Sequence, residues 1–374
     1  MTTQTPIQSP FDERSAAEEA AAGIDLAARR AIVTGASSGI GAETARVLAD
    51  GGAAVTLAVH DTDARASVAA GVRGSTGNGA VDVRPLELAE PDSIGAFIDD
   101  WNGPLDILIN DAAVMAIPER TLTPRGVELH FATNHLCHFA VTTGLYDALR
   151  SSGDGRVVSL SSSAHLYCPV PFDDPVFAFV PYSPFLGYGQ SKTANVLFAV
   201  EGNRRWGRDA ITVNAVMPGG IATRLQRHID PEALARARRE AGASAELKTI
   251  EQGAATSIFA GVSPLLDGIG GRYLEDCHEA DIVPSRADSD GRHGVAAYAL
   301  DLANGERLWD PGQRPRTPTT PAITALPTPL HAPERQHHTT TALTSTGPSW
   351  MTQDVHVSDH ADEIDGDRIR VSRR

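Results

Sequence analysis

The chain has 374 residues, 41% of them hydrophobic and 21% charged, with a formal net charge of −15 at pH 7. That hydrophobic share supports a packed core, and the negative balance argues against nucleic acid or an anionic membrane surface as a main partner. The cysteines Cys137, Cys168 and Cys277 are scattered and odd in number, which points to neither a disulfide framework nor a cysteine-based metal site. With no signal-peptide core and no apolar run long enough to span a bilayer, the expectation is a cytoplasmic protein with no membrane span.

Residues 1–23 form a polar N-terminal extension in which Ser15-Ala-Ala-Glu18 reads as a capping box for a short helix. Arg30-Ala-Ile-Val33 reads as a short buried strand, and Ala42 to Ala49 as a helix of good formers ended by Gly51-Gly52. Between them lies Thr34-Gly-Ala-Ser-Ser-Gly-Ile-Gly41. Strand, glycine turn and helix in that order bring backbone N–H groups against a dinucleotide's pyrophosphate. Gly35 permits the tight turn, Gly39 a close backbone approach, and Gly41 close packing of helix on strand. Further strand-like runs at Ala54–Val59, Val81–Arg84, Ile107–Ile109, Val157–Leu160 and Ile211–Met217 alternate with helical stretches, which predicts a parallel sheet covered on both faces.

Tyr188 and Lys192 stand four positions apart at the head of an apolar, helix-periodic stretch, so phenol and ammonium share one helix face. A cation beside a phenol favours the phenolate, and a tyrosine brought near neutrality suits proton transfer to or from an alcohol or carbonyl. From Asp310 the composition turns to Pro, Thr, Arg and His with few bulky aliphatics, so 310–374 reads as a disordered tail or the product of a shifted reading frame.

Together the glycine turn and the Tyr–Lys pair resemble the short-chain dehydrogenase/reductase family, classical type, retinol dehydrogenase-like subgroup. Leu108-Ile-Asn-Asp-Ala-Ala113 is similar to the family's strand-four segment, and Phe131–Phe139 to the helix carrying its asparagine. Arg156–His165 is similar to the strand bearing its serine, and Val213–Thr223 to the segment that closes over the nicotinamide. The resemblance runs from about Ile24 to Trp309. It implies an α/β fold, a Rossmann-type doubly wound parallel sheet in a single domain at 24–309, assembled as a homodimer or homotetramer through the long helices around Asn134 and Tyr188. It also implies Tyr188 as acid/base, Lys192 as the cation that lowers its pKa and bonds the nicotinamide ribose, Ser162 as the group polarising the substrate oxygen, and Asn134 as a relay from Lys192 to water. Strand alternation puts Ser161 and Ser163 on the face opposite Ser162. The implied cofactor contacts are Gly35, Ser37, Ser38, Gly39, Ile40, Gly41, His60, Glu87, Leu88, Asn110, Ala112, Tyr188, Lys192, Pro218, Gly219, Ile221 and Thr223, with no metal.

Three departures bear on the cofactor. Asp111 stands where the family pattern has an amide, cannot donate as an amide does, and calls for a donor or an ordered water. Ala113 adds a methyl beside the ribose, and Glu87 replaces the aspartate that contacts the adenine amino group. At the end of the second strand, neither an acid at Val59 nor an arginine at His60 selects between NAD and NADP; the absence of any acid there leans to NADP.

Leu166, Tyr167, Phe172, Phe177, Phe179, Tyr182 and Phe185 lie between Ser162 and Tyr188, read either as loop packing or as the wall of a pocket for an apolar alcohol, aldehyde or ketone. The stretch Arg224 to Leu247 is similar to the family's mobile substrate lid. His130, His135 and His138 lack the i, i+4 spacing of a zinc helix and read as buried or interface residues. Rival readings are a catalytically silent NAD(P)-binding regulator, which the altered Asn110-Asp-Ala-Ala113 segment suggests, and a nucleotide-sugar epimerase, whose glycine spacing differs.

Overall fold

Strand β1 (Arg30–Thr34) lies inside an eight-stranded sheet ordered β3-β2-β1-β4-β5-β6-β7-β8, with β2 Ala54–Val59, β3 Val81–Pro85, β4 Ile107–Asn110, β5 Gly155–Leu160, β6 Ile211–Met217, β7 Tyr273–Glu275 and β8 His278–Glu279. All neighbours pair in parallel except β7 with β8. This computed structural model describes residues 6–60, 62–230, 232 and 247–309. The Pro- and Thr-rich tail and most of the expected lid therefore lie outside the described residues.

Side chains alternate across each central strand, as a period of two requires. Ala31, Val33, Ile107, Ile109 and Val158 enter one core, while Ile32, Leu108, Val157 and Val213 enter the other. The first core is closed by α1 (Ala17–Ala21), α2 (Gly39–Asp50), α3 (Thr62–Thr76) and α9 (Ile250–Val262). The second is closed by α4 (Pro91–Asp99), α6 (Cys137–Gly144), α7 (Tyr146–Ser151) and α8 (Pro184–Trp206). Apolar groups on both faces explain why these strands read as continuous hydrophobic runs. The short α5 (Leu129–Phe131) enters α6 through a π-helical turn, Ala132–Leu136. A last helix, α10 (Leu302–Trp309), lies on α8.

The six expected strands are present, and β7 and β8 extend the sheet. Their connection turns through Asp276 (φ 49°) and Cys277 (φ 63°), a left-handed pair of the type that joins tight hairpins. Cys277 is not a common occupant of such a turn, and a three-residue strand carries no readable period. The N-terminal extension packs against this edge: the Ile7 N–H donates to the Glu279 carboxylate at 3.1 Å, and Phe11 meets Phe259 edge-on at 6.1 Å. Its helix starts one residue later than expected and keeps only the glutamate half of a capping box, since the N-cap is Ala16, whose methyl cannot accept. The Ala16 N–H donates to Glu19 at 3.2 Å, whereas the Ser15 hydroxyl accepts from Asp12 N–H and Glu18 pairs with Arg46. Among the described residues, no helix is long and apolar enough to cross a membrane.

Candidate active site

The strand order reverses between β1 and β4, so the connections leaving these two strands diverge and open a crevice at their carboxyl ends. Gly35 leaves β1 at φ +69°, and a Cβ there would lie 2.7 Å from Ala112 Cα, inside the backbone that leaves β4. Gly39 opens α2 at φ +62°, but a Cβ there would meet nothing closer than Thr223 Cγ2 at 3.6 Å. At Gly41 a Cβ would fall 2.6 Å from Asp111 Oδ2 and 2.8 Å from the Gly35 carbonyl oxygen. Ser38, the N-cap residue, makes no side-chain cap. The donor that Asp111 calls for is instead the Gly41 N–H, so a carboxyl from the β4 side caps α2. Burial pushes the Asp111 carboxyl up to about 7, against the opposing pull of Lys192 and the Gly41 bond.

A cleft of about 420 Å³ opens above this turn. Of the expected cofactor contacts, Gly35, Ser37, Ser38, Gly39, Ile40, His60, Glu87, Leu88, Ala112 and Thr223 line it. Gly41, Asn110, Tyr188, Lys192, Pro218, Gly219 and Ile221 do not border this cleft. Asn110 turns away from it because its amide donates to Thr142 Oγ1 at 3.0 Å, inside the sheet–helix layer. Gly219 (φ +97°) is held against Lys248, whose stem occupies the place of a Cβ. His60 pairs with Glu87, and the Glu87 carboxylate also accepts the Ala89 N–H at 3.0 Å. The expected adenine-binding acid is thus already engaged at the rim. Sequence reasoning assigned Arg224 and Arg227 to the lid and missed them here: both line the cleft with Asp111. Two arginines just after a Pro-Gly-Gly segment were the available signal.

Ser162, Tyr188 and Lys192 come together beside it. Ser162 lies beyond the end of β5 as the cap of a 3₁₀ turn (Ser163–Tyr167); its hydroxyl accepts the Ala164 N–H at 3.2 Å and hydrogen-bonds Tyr188. Because β5 stops at Leu160, strand alternation does not extend to Ser163. Ser161 donates to the Lys192 carbonyl at 2.9 Å. Tyr188 and Lys192 are both buried on α8, with the ammonium 5.5 Å from the phenol ring centroid and donating to the Leu160 carbonyl at 2.9 Å. The phenol does not move toward neutrality as expected. Burial pushes it up, and the Ser162 hydrogen bond only partly offsets that. Burial also brings Lys192 down to about 8, while Asp111 opposes that shift.

Asn134 lies in the π-helical turn, a feature common at functional sites. Its amide donates to the Val114 carbonyl (3.0 Å) and Ser191 Oγ (2.9 Å), and its oxygen accepts the Val114 N–H (2.8 Å). The side chain thus contacts Val114 and Ser191 rather than Lys192, so it braces the β4 loop against α8. The three histidines are buried and each has its own partner. His130 pairs with Glu128 at 2.7 Å, and His135 with Asn195 at 3.2 Å. His138 donates to the Asn134 carbonyl and accepts from the Thr34 hydroxyl at 2.9 Å, its neutral form favoured because burial lowers it to about 4. Thr34 Oγ1 in turn accepts the Asp111 and Ala112 N–H groups.

The aromatic stretch divides. Phe177 is buried edge-on to Tyr182, whose hydroxyl donates to the Ile117 carbonyl at 2.8 Å. Tyr167 and Phe185 form an exposed edge-to-face pair, and Phe179 is 93% exposed. Tyr167 stands beside Gly189, one residue from Tyr188.

A family model described as short chain dehydrogenase matches residues 29–233. A protein of Streptomyces antibioticus named "Probable oxidoreductase" is 49% identical over 298 residues, 77% of this chain and 98% of that protein. Retinol dehydrogenase 14 of Mus musculus is 36% identical over 293 residues, 75% of this chain and 83% of that protein. A crystal structure of an uncharacterised protein from Mycobacterium paratuberculosis superposes with a TM-score of 0.59 at 34% identity, covering 78% of this chain and 94% of that one. The glycine crevice, the parallel sheet and these likenesses agree, and the chain belongs to the short-chain dehydrogenase/reductase family, an oxidoreductase on the Rossmann-type fold.

Proposed function

We propose that this oxidoreductase interconverts an apolar carbonyl compound and its alcohol, with Tyr188 transferring the proton. The observation that carries the reading is the Ser162–Tyr188 hydrogen bond with the Lys192 ammonium over the same ring, next to a cleft built on a glycine turn. A nicotinamide dinucleotide supplies or accepts the hydride when bound. The residues present fit it: Gly39 leaves the backbone open, and α2 offers N–H groups to a pyrophosphate. Arg224 and Arg227 bring positive charge to the cleft, and His60 offsets Glu87 at the rim; with no acid at Val59, this favours NADP over NAD.

Each residue then has a task. Ser162 holds the substrate oxygen against the Tyr188 hydroxyl. Tyr188, kept protonated by its burial, donates to the oxygen of a carbonyl as that oxygen gains charge. Lys192 fixes a positive charge beside the phenol and stabilises the phenolate left behind. Tyr167 and Phe185 form an apolar wall for the substrate. We further assign residues 24–309 to one catalytic domain, acting on small molecules.

The test is Tyr188→Phe, offered a panel of aldehydes, ketones and alcohols with NADPH and NADH. Turnover by the native protein and its loss in the variant, with fold and cofactor binding retained, is the expected result. Cofactor binding by the native protein without turnover across the panel would overturn the reading, as would a fully active variant.

A further inference from the structure

The one carboxyl that reaches the glycine turn from β4 is not a passive substitute for an amide. Asp111 lines the cleft, and it accepts the N–H of Gly41 in the first turn of α2. Its Oδ2 occupies the space that a Gly41 side chain would need, against the first turn of α2. Its backbone is fixed as well, since the Asp111 N–H donates to Thr34 Oγ1 at 2.9 Å and Thr34 is locked by His138.

We propose that Asp111 is a protonation-dependent determinant of cofactor affinity. As the neutral acid it adds no negative charge to the cleft it lines and can donate a proton toward a bound anion; as the carboxylate it repels that anion. This rests on the dinucleotide reading above.

The charged and titratable neighbours are few, and Arg224 and Arg227 line the same cleft from the segment after β6. Lys192, from α8, attracts the carboxylate. Tyr188, also from α8, is pushed up further by the charge of Asp111. His138, from α6, is neutral through burial, and the Cys137 thiol is pushed up by burial, so neither supplies a compensating charge. On α2 the facing group is the Gly41 N–H. With the carboxyl held near 7, it changes charge within the working range of a neutral-pH enzyme.

The experiment measures the dissociation constant of NADH by its fluorescence at pH 6.0 and pH 8.5, in the native protein and in Asp111→Asn. NADH is chosen because it lacks a 2′-phosphate that titrates in that range. The native protein is expected to lose roughly ten-fold in affinity at the higher pH, as the neutral acid becomes scarce. Asp111→Asn should bind about ten-fold more tightly than the native protein at pH 8.5 and equally at pH 6.0. The direction separates causes: were deprotonation of Lys192 responsible, removing its counter-charge would weaken binding instead. A His60→Gln protein should keep the native slope, since His60 lies with Glu87 at the rim.

Equal native affinity at both pH values, or an Asn variant no tighter at pH 8.5, overturns the proposal while leaving the dinucleotide reading intact. Failure to bind NADH or NADPH at any pH sinks that reading and this inference together. Should Asp111→Asn not fold, the native protein still decides. With ¹³C-labelled aspartate carboxyls, one signal must titrate near neutrality and move to higher pH on adding NADH; its absence is fatal to the proposal.

Discussion

The two positive-φ glycines of the turn make separable demands, so substituting each tests whether the turn is built for folding, for a ligand, or for both. Gly35→Ala places a Cβ 2.7 Å from Ala112 Cα at φ +69°. A left-handed backbone costs an alanine roughly 1–2 kcal/mol. Overlap with a neighbour's main chain, which cannot swing away as a side chain can, adds about 1–3 kcal/mol. Gly39→Ala carries the same backbone cost of roughly 1–2 kcal/mol and no overlap, its nearest contact being the Thr223 methyl at 3.6 Å. Urea unfolding should therefore place Gly35→Ala below Gly39→Ala by the overlap alone, about 1–3 kcal/mol. Binding should not follow the same ranking. On the proposed dinucleotide reading an added Gly39 methyl would hinder the approach of the pyrophosphate, so Gly39→Ala is expected to stay folded at 25 °C yet lose at least about a hundred-fold in NADPH affinity. Equal midpoints for the two variants would refute the steric reasoning. Native affinity in Gly39→Ala would refute the role of the cleft.

Lys192→Ala should weaken NADPH binding and displace the activity optimum to higher pH, because the cation beside the phenol is gone; a pH profile of kcat/KM checks this. In the native enzyme, carbonyl reduction should be fast at neutral pH and alcohol oxidation should keep rising above pH 9, since burial holds Tyr188 protonated and its base form appears only at high pH; initial rates in both directions measure it. Trp309→Ala should cost about 3 kcal/mol in urea unfolding, because its ring stacks on Phe198 at 5.7 Å and meets Phe139 at 4.9 Å. Asp111→Asn should stabilise the protein at pH 8 but not at pH 4. The folded-state pKa of Asp111 lies above its unfolded value, so the native carboxyl loses stability as pH rises from about 4 to about 7.

Much of the sheet was legible because its strands are buried on both faces, and such strands announce themselves as short unbroken apolar runs. The glycine turn was legible for a related reason: left-handed backbone at Gly35 and Gly39 leaves few other residues possible. What the sequence could not carry was the response of a side chain to its surroundings. Four-residue spacing correctly put Tyr188 and Lys192 on one face, but whether the phenol falls or rises depends on burial, which spacing does not encode. The hydrogen-bond partners of Asn134, Val114 and Ser191, are 20 and 57 positions away, a pairing that no local pattern encodes. The expected Ser15–Glu18 capping box did not form because the helix starts one residue later, where Ala16 offers no acceptor and Ser15 and Glu18 bond Asp12 and Arg46 instead.

The quaternary expectation shows how a short terminal element can alter what a fold presents. A helix offered to a partner should keep an apolar stripe in solvent. Helix α8 has none along its middle: every residue from Gly187 to Gly202 is buried within the single chain. Part of its cover is α10. Gly305 lets the two backbones approach so closely that a Cβ would lie 3.2 Å from Glu201 Cβ. Trp309 closes the far end over Phe139, Phe198 and Trp206. Glu201 is fully buried there, yet paired with Arg204 and Arg205 on the same helix, so the charges are neutralised within the chain. Of the large exposed apolar side chains among the described residues, none lies on α6, and only Phe185, at the opposite end by Tyr167, lies on α8. A partner approaching α8 at Leu197 and Glu201 would therefore meet α10 first.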